Sequence, residues 1–155
     1  MDLVYFVGRF HVLVLHLPIG IILVAIVLEW AARNEKYARL DAAAPLLWAT
    51  AAIVSIVTVI LGYMHYAEGG FDGNAGNLHR LFGTSLAVVT TLVWVLRTRF
   101  HALYGKSRLV LAAVLIILVF TTGHFGGSLT HGSSFLTGAL APDTSQIVAS
   151  APRGD

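Results

Sequence analysis

Four long apolar stretches, each of the length that crosses a lipid bilayer, leave this chain few ways to fold. A hydrocarbon core about 30 Å thick is spanned by about 20 apolar residues of helix. Such stretches run over about residues 9–32, 43–66, 79–98 and 107–125. All four are apolar on every side, which excludes amphipathic surface helices and fits a bundle wetted by lipid. They consume most of the 155 residues, so the reading is one domain over 1–138 with a flexible tail over 139–155. The expected fold class is an all-α membrane protein, an antiparallel four-transmembrane-helix bundle.

Composition sharpens this. Hydrophobic residues make up 57% of the chain and charged residues only 12%, too few to cover a soluble domain of this size. Met1-Asp2-Leu3 offers no basic n-region, so the first stretch reads as a retained helix and not a cleaved signal. There is no cysteine, which excludes disulfides, thiolate metal sites and covalently attached c-type haem. The basic residues stand in loops beside helices, where they set topology and give no ground for nucleic-acid binding. No internal repeat stands out.

The connecting segments fix the expected orientation. The segments after helices one and three carry seven Lys and Arg residues, against three on the other side. Positive charge stays in the cytoplasm, so both termini and the glycine-rich 68–77 loop are expected outside. In a double-membrane bacterium that is the periplasmic face of the inner membrane. Trp30, Tyr37, Trp94 and Tyr104 read as an inner aromatic belt, and Tyr5, Phe10, Tyr63, Tyr66 and Phe82 as an outer one. Glu29, beside Trp30 and Arg33, reads as an interface residue.

Histidine is the feature that this frame does not explain. Six of the seven fall at the outer ends of the helices or just beyond: His11, His16, His65, His79, His124 and His131; only His101 lies at the inner face. Counting about 1.5 Å per residue from the inner boundary puts His16 and His124 at similar depth, and His11 level with His79. An imidazole in hydrocarbon is costly unless its nitrogens are occupied. With no thiolate available, histidine is the ligand for haem iron or another transition metal. Haem b, one or two per chain, would take two of His11, His16, His79 and His124, with His16 and His124 preferred and His11 with His79 the rival pair. Gly20, Gly83 and Gly123 would admit the flat macrocycle, and Arg9 and Arg80 would meet its propionates. Competing readings are interfacial histidines, and glycines that serve helix packing.

Those residues also carry a resemblance. Phe10-His11, His16-Leu17-Pro18-Ile19-Gly20, Gly69-Gly70-Phe71-Asp72, His79-Arg80-Leu81-Phe82-Gly83 and Gly123-His124-Phe125-Gly126-Gly127-Ser128-Leu129-Thr130-His131-Gly132 resemble a small four-helix membrane domain of unknown function. That domain precedes planctomycete-type cytochrome c domains in bacterial membrane cytochromes. The similarity covers about residues 9–138 and includes His11, His16, His79, His124 and His131, without extending to His65. It implies a role beside periplasmic electron transport. Here the chain ends after a linker where the cytochrome c domain would begin, so the resemblance implies that c-type haem comes from a partner subunit.

The expected function is therefore a b-type cytochrome-like membrane subunit. It would carry electrons near the periplasmic face together with a cytochrome c partner, surrounded by membrane lipid. It would not be an enzyme alone, because iron held by two histidines has no open position. The alternatives are a cofactor-free structural or anchoring subunit of a membrane redox complex, and a histidine site for copper or another metal. The charge asymmetry yields a direct test: a reporter fused after Asp155 should be active outside the cytoplasm. Activity confined to the cytoplasm would reverse the orientation.

Overall fold

The computed structural model describes residues 3–71 and 73–132. The expectations for the 139–155 tail fall outside that range. The first span, Leu3–Ala31, comprises α1 (Leu3–Gly8), α2 (His11–Val14) and α3 (His16–Ala31). A 3-10 segment, Glu35–Ala43, leads into α4 (Ala44–Tyr66); α5 (Asn74–Arg99) and α6 (His101–His131) complete the bundle. Among the described residues there is no strand, and four helical spans are long and apolar enough to cross a membrane.

Local chemistry explains the boundaries. Pro18 has no N–H to return to Val14, and the first span breaks at Leu15, between α2 and α3. Asn34 opens the 3-10 segment by accepting the Lys36 N–H at 3.0 Å. At Gly73, φ is 114°, a conformation that favours glycine, and α5 starts at the next residue. The 97–107 stretch differs from its reading as a loop. Only Phe100 leaves helical geometry, and α6 begins at His101. Residues 101–108 include strong helix formers and no proline, so the helix continues through the polar layer.

The spans pack in chain order, and the seam between α3 and α6 is thin. Ile22, Ala25, Trp48, Ala51, Val93 and Leu115 fill the centre. Leu13, Val27, Leu46, Val88, Ile117 and Phe120 are exposed, the outward apolar surface that a lipid-embedded bundle presents. The chain is thus a multi-pass membrane protein.

One end of the bundle is tied by a polar cluster that draws on all four spans. The Glu29 carboxylate accepts from Trp48 Nε1 and Arg97 Nε, both at 3.1 Å, and from the Tyr104 hydroxyl. Arg97 reaches on to Asp41 at 2.5 Å. Glu29 and Arg97 are almost fully enclosed, with side chains 12% and 13% exposed. Neither the interface reading of Glu29 nor the belt reading of Tyr104 survives: both side chains point inward, because each supplies the partner the other needs away from water. Trp30 is 71% exposed and does face outward.

Removing one member of a buried ion pair leaves the other charge uncompensated, at a cost of about 3–5 kcal/mol. Glu29→Ala should therefore lower stability by about that much in detergent unfolding. Asp41→Ala should cost less than about 1 kcal/mol, since that carboxylate is 56% exposed. Equal losses would contradict the central role of Glu29.

Candidate functional site

The opposite end of the bundle is open. A cavity of about 440 Å³ runs between the spans from Ser55, Leu86 and Ala87 to His65, Phe71 and Arg80. Small residues make much of its wall: Thr58, Gly62, Gly76, Gly83, Thr122, Gly126. His11, His16, His65, His79 and His131 line it; His124 does not. His124 is exposed and sits edge-on against Phe125, which stacks on Phe82. His16 reaches the cavity but is itself largely exposed.

His11 and His79 are held alike. His11 Nδ1 is 2.9 Å from the Thr58 carbonyl of α4, and His79 Nδ1 is 3.0 Å from the Thr122 carbonyl of α6. A carbonyl can only accept, so both Nδ1 atoms carry a proton, which puts the lone pair of each imidazole on Nε2. Each accepting carbonyl lies four residues before a glycine, Gly62 or Gly126. The missing side chain lets the ring lie against the helix. A Cβ built on Gly62 would stand 3.0 Å from Cε1 and Nδ1 of His11, and one on Gly126 would stand 3.0 Å from Cε1 of His79. The two rings face each other across the cavity, 6.2 Å between centres and 84° between planes.

The halves of the chain thus repeat a device. Gly8-x-x-His11 pairs with Thr58-x-x-x-Gly62, and Gly76-x-x-His79 with Thr122-x-x-x-Gly126. Gly8 and Gly76 are both buried; a Cβ on either would collide with backbone, of Met64 and His65 in one case and of Phe71 in the other. This short repeat escapes a reading of the sequence because its four parts are scattered and each is only two residue types long. The signal available was the recurrence of Gly-x-x-His before, and Thr-x-x-x-Gly after, in each pair of spans.

The charges divide by role. Arg9 is engaged with Glu68, and its hydrogen bond and charge hold the Glu68 carboxyl below the usual carboxylate range. Arg80 lies over the Tyr66 ring at 3.7 Å and donates to Asn77 at 2.5 Å, facing the cavity. Its Nε is buried without a hydrogen-bond partner, as are Ser55 Oγ, His65 Nδ1 and Thr122 Oγ1. His65 Nδ1 is 3.4 Å from Glu68 but lacks hydrogen-bond geometry. Among the described residues these are the buried side-chain polar atoms left unpaired, and all four residues line this one cavity. Buried polar atoms are paired as a rule, so such a concentration marks a place suited to a polar ligand or ordered water.

Two imidazoles held trans on one metal, each Nε2 about 2.0 Å from it, have ring centres about 6 Å apart. A histidine ligand characteristically gives its other N–H to a carbonyl. His11 and His79 have that separation of ring centres, and each gives its Nδ1–H to a carbonyl. Gly83 and Gly123 line the cavity, whereas Gly20 is exposed with open space beside it. Among the described residues no group of three or more His, Asp or Glu side chains converges to hold a metal ion.

A helical membrane bundle with a histidine-lined cavity at one end is the class of protein defined so far. The chain belongs to the family described as predicted membrane protein DUF2231, whose model matches residues 9–135. No curated protein and no solved structure shows significant similarity to it.

The glycine contacts can be tested directly. Gly62→Ala and Gly126→Ala should each cost about 1–3 kcal/mol of stability, because the added methyl displaces a hydrogen-bonded ring. Gly20→Ala, with nothing within 4 Å of the new carbon, should be neutral or stabilising by up to about 1 kcal/mol. Detergent unfolding of the three variants provides the comparison.

Proposed function

We propose that this protein is a b-type cytochrome-like subunit in which His11 and His79 hold one haem iron between them. One observation carries the reading: two imidazoles from different spans stand 6.2 Å apart with both Nδ1 protons committed to backbone carbonyls. Such rings keep their remaining nitrogens for a metal. Glycines at the walls leave room for a flat macrocycle, and Arg80, with an unpaired Nε, suits a propionate. Bound iron would supply one-electron exchange. The chain's own work is to fix both rings, exclude lipid from the site and keep a cation at its outer edge.

Depth, and helices one and four as neighbours in a closed ring, favour His16 and His124; the ring geometry favours His11 and His79 as the axial pair, and leaves His16 as a residue beside the site. The excess of Lys and Arg at the Glu29 end supports a periplasmic position for the histidine end, in a bacterial inner membrane with both termini outside. The resemblance to a domain that precedes cytochrome c supports a cytochrome c partner for the electron. The interhelical bonds of His11 and His79 also favour a second reading, in which they only join helices in a cofactor-free anchoring subunit.

Absorbance spectra separate the two. Protein produced with haem in excess should show a reduced α-band of b type and a low-spin spectrum. His11→Ala or His79→Ala should abolish haem retention or give a high-spin, five-coordinate spectrum, whereas His101→Ala and His124→Ala should change neither. Arg80→Ala should retain haem and lower its potential by on the order of tens of millivolts, through loss of a nearby positive charge. Wild-type protein that binds no haem would leave the anchoring reading in its place.

A further inference from the structure

A second cavity, about 180 Å³, opens at the other end of the bundle between α3 and α6, where the seam is thin. Its wall toward the bilayer is apolar and includes Val27 and Leu109, which are 62% and 61% exposed. Its rim holds Arg33 and Arg108. Glu29 also lines it, but that carboxylate is occupied by Trp48, Arg97 and Tyr104. Among the described residues neither Arg33 nor Arg108 has a carboxylate within 4.0 Å, the distance that defines the four ion pairs found.

Position makes this unusual. Arg108 follows Tyr104 by one turn of α6, which sets it about 6 Å closer to the bilayer centre than the residue that caps Glu29. Trp30, lining the same cavity and 71% exposed, has the place of an aromatic at the membrane boundary. A guanidinium at the edge of hydrocarbon requires an anion, and the described residues supply no carboxylate to these two. The headgroup layer does. A guanidinium binds a phosphate through two parallel N–H bonds, and basic pockets between membrane helices bind anionic headgroups.

We propose that this groove binds an anionic phospholipid, with Arg33 and Arg108 on the phosphodiester and an acyl chain along Val27 and Leu109. The two cations favour a headgroup of net negative charge over a zwitterionic one, whose own ammonium would be repelled. The site is at the end of the bundle remote from His11 and His79 and does not depend on what they hold.

The test is lipid competition on the purified full chain in nanodiscs of phosphatidylcholine with graded phosphatidylglycerol, read by native mass spectrometry of retained lipid. Wild-type protein should retain phosphatidylglycerol over phosphatidylcholine by about thirtyfold, the scale expected for two basic residues at a membrane surface. Arg33→Gln with Arg108→Gln should abolish that preference, Arg33→Lys with Arg108→Lys should keep part of it, and Arg39→Gln should keep all of it. If the double Gln protein fails to fold, Arg108→Gln against Arg108→Lys makes the same comparison. Equal retention of the two lipids by wild type, or an undiminished preference in the folded Gln variants, overturns the proposal. Displacement of the lipid by inorganic phosphate alone also overturns it, by showing a site for free phosphate.

Discussion

Hydrocarbon offers no hydrogen-bond partner, and the organisation of this bundle follows from that. Each polar side chain within a span must find its partner inside the protein. The hydroxyls of Thr50, Thr58, Thr90, Thr91, Thr98 and Thr121 do so locally, each donating to the carbonyl four residues earlier. Glu29 and Arg97 do so across the bundle. Against this background of satisfied groups, Ser55, His65, Arg80 and Thr122 stand apart, and they stand together around one cavity.

The two ends of the molecule answer different needs. At the Glu29 end one carboxylate gathers donors from three other segments, and Trp48 and Tyr104 are buried around it. That end is clasped because the charge there is cheap only while every partner is present. At the histidine end the contacts between spans are made by glycine on backbone and by imidazole on glycine, which bring the chains close without filling the space between them. A rigid clasp at one end lets the other remain hollow.

The spans and their number are legible in hydropathy, because lipid selects apolar residues on every face. That same uniformity hides rotation. A helix turns through its full circle in 3.6 residues, and a span that is apolar all round gives no sign of which side meets its neighbours. Depth can be counted from the sequence, and it puts His11 level with His79. Whether a ring looks inward cannot be counted, which is why His124, at a suitable depth, lies exposed beside Phe125 while His79 faces the cavity. Gly62 passes unnoticed because its role rests on His11, fifty-one positions away in the chain. Glu29 looks like a surface residue until α5 and α6 bring Arg97 and Tyr104 to it.

The repeated pairing of His11 with Gly62 and of His79 with Gly126 makes the histidine end divisible into two like parts. Each pair of consecutive spans carries one histidine and the notch that seats it, so each hairpin is half of the arrangement. Two copies of a single hairpin related by a twofold axis would present the same two facing imidazoles, as isologous dimers do. The chain repeats that half-arrangement without the symmetry of such a dimer, because α4 packs closely on α5 whereas the seam between α3 and α6 is thin. The two halves differ around the shared device: Arg80 follows one histidine directly, whereas Val12 follows the other.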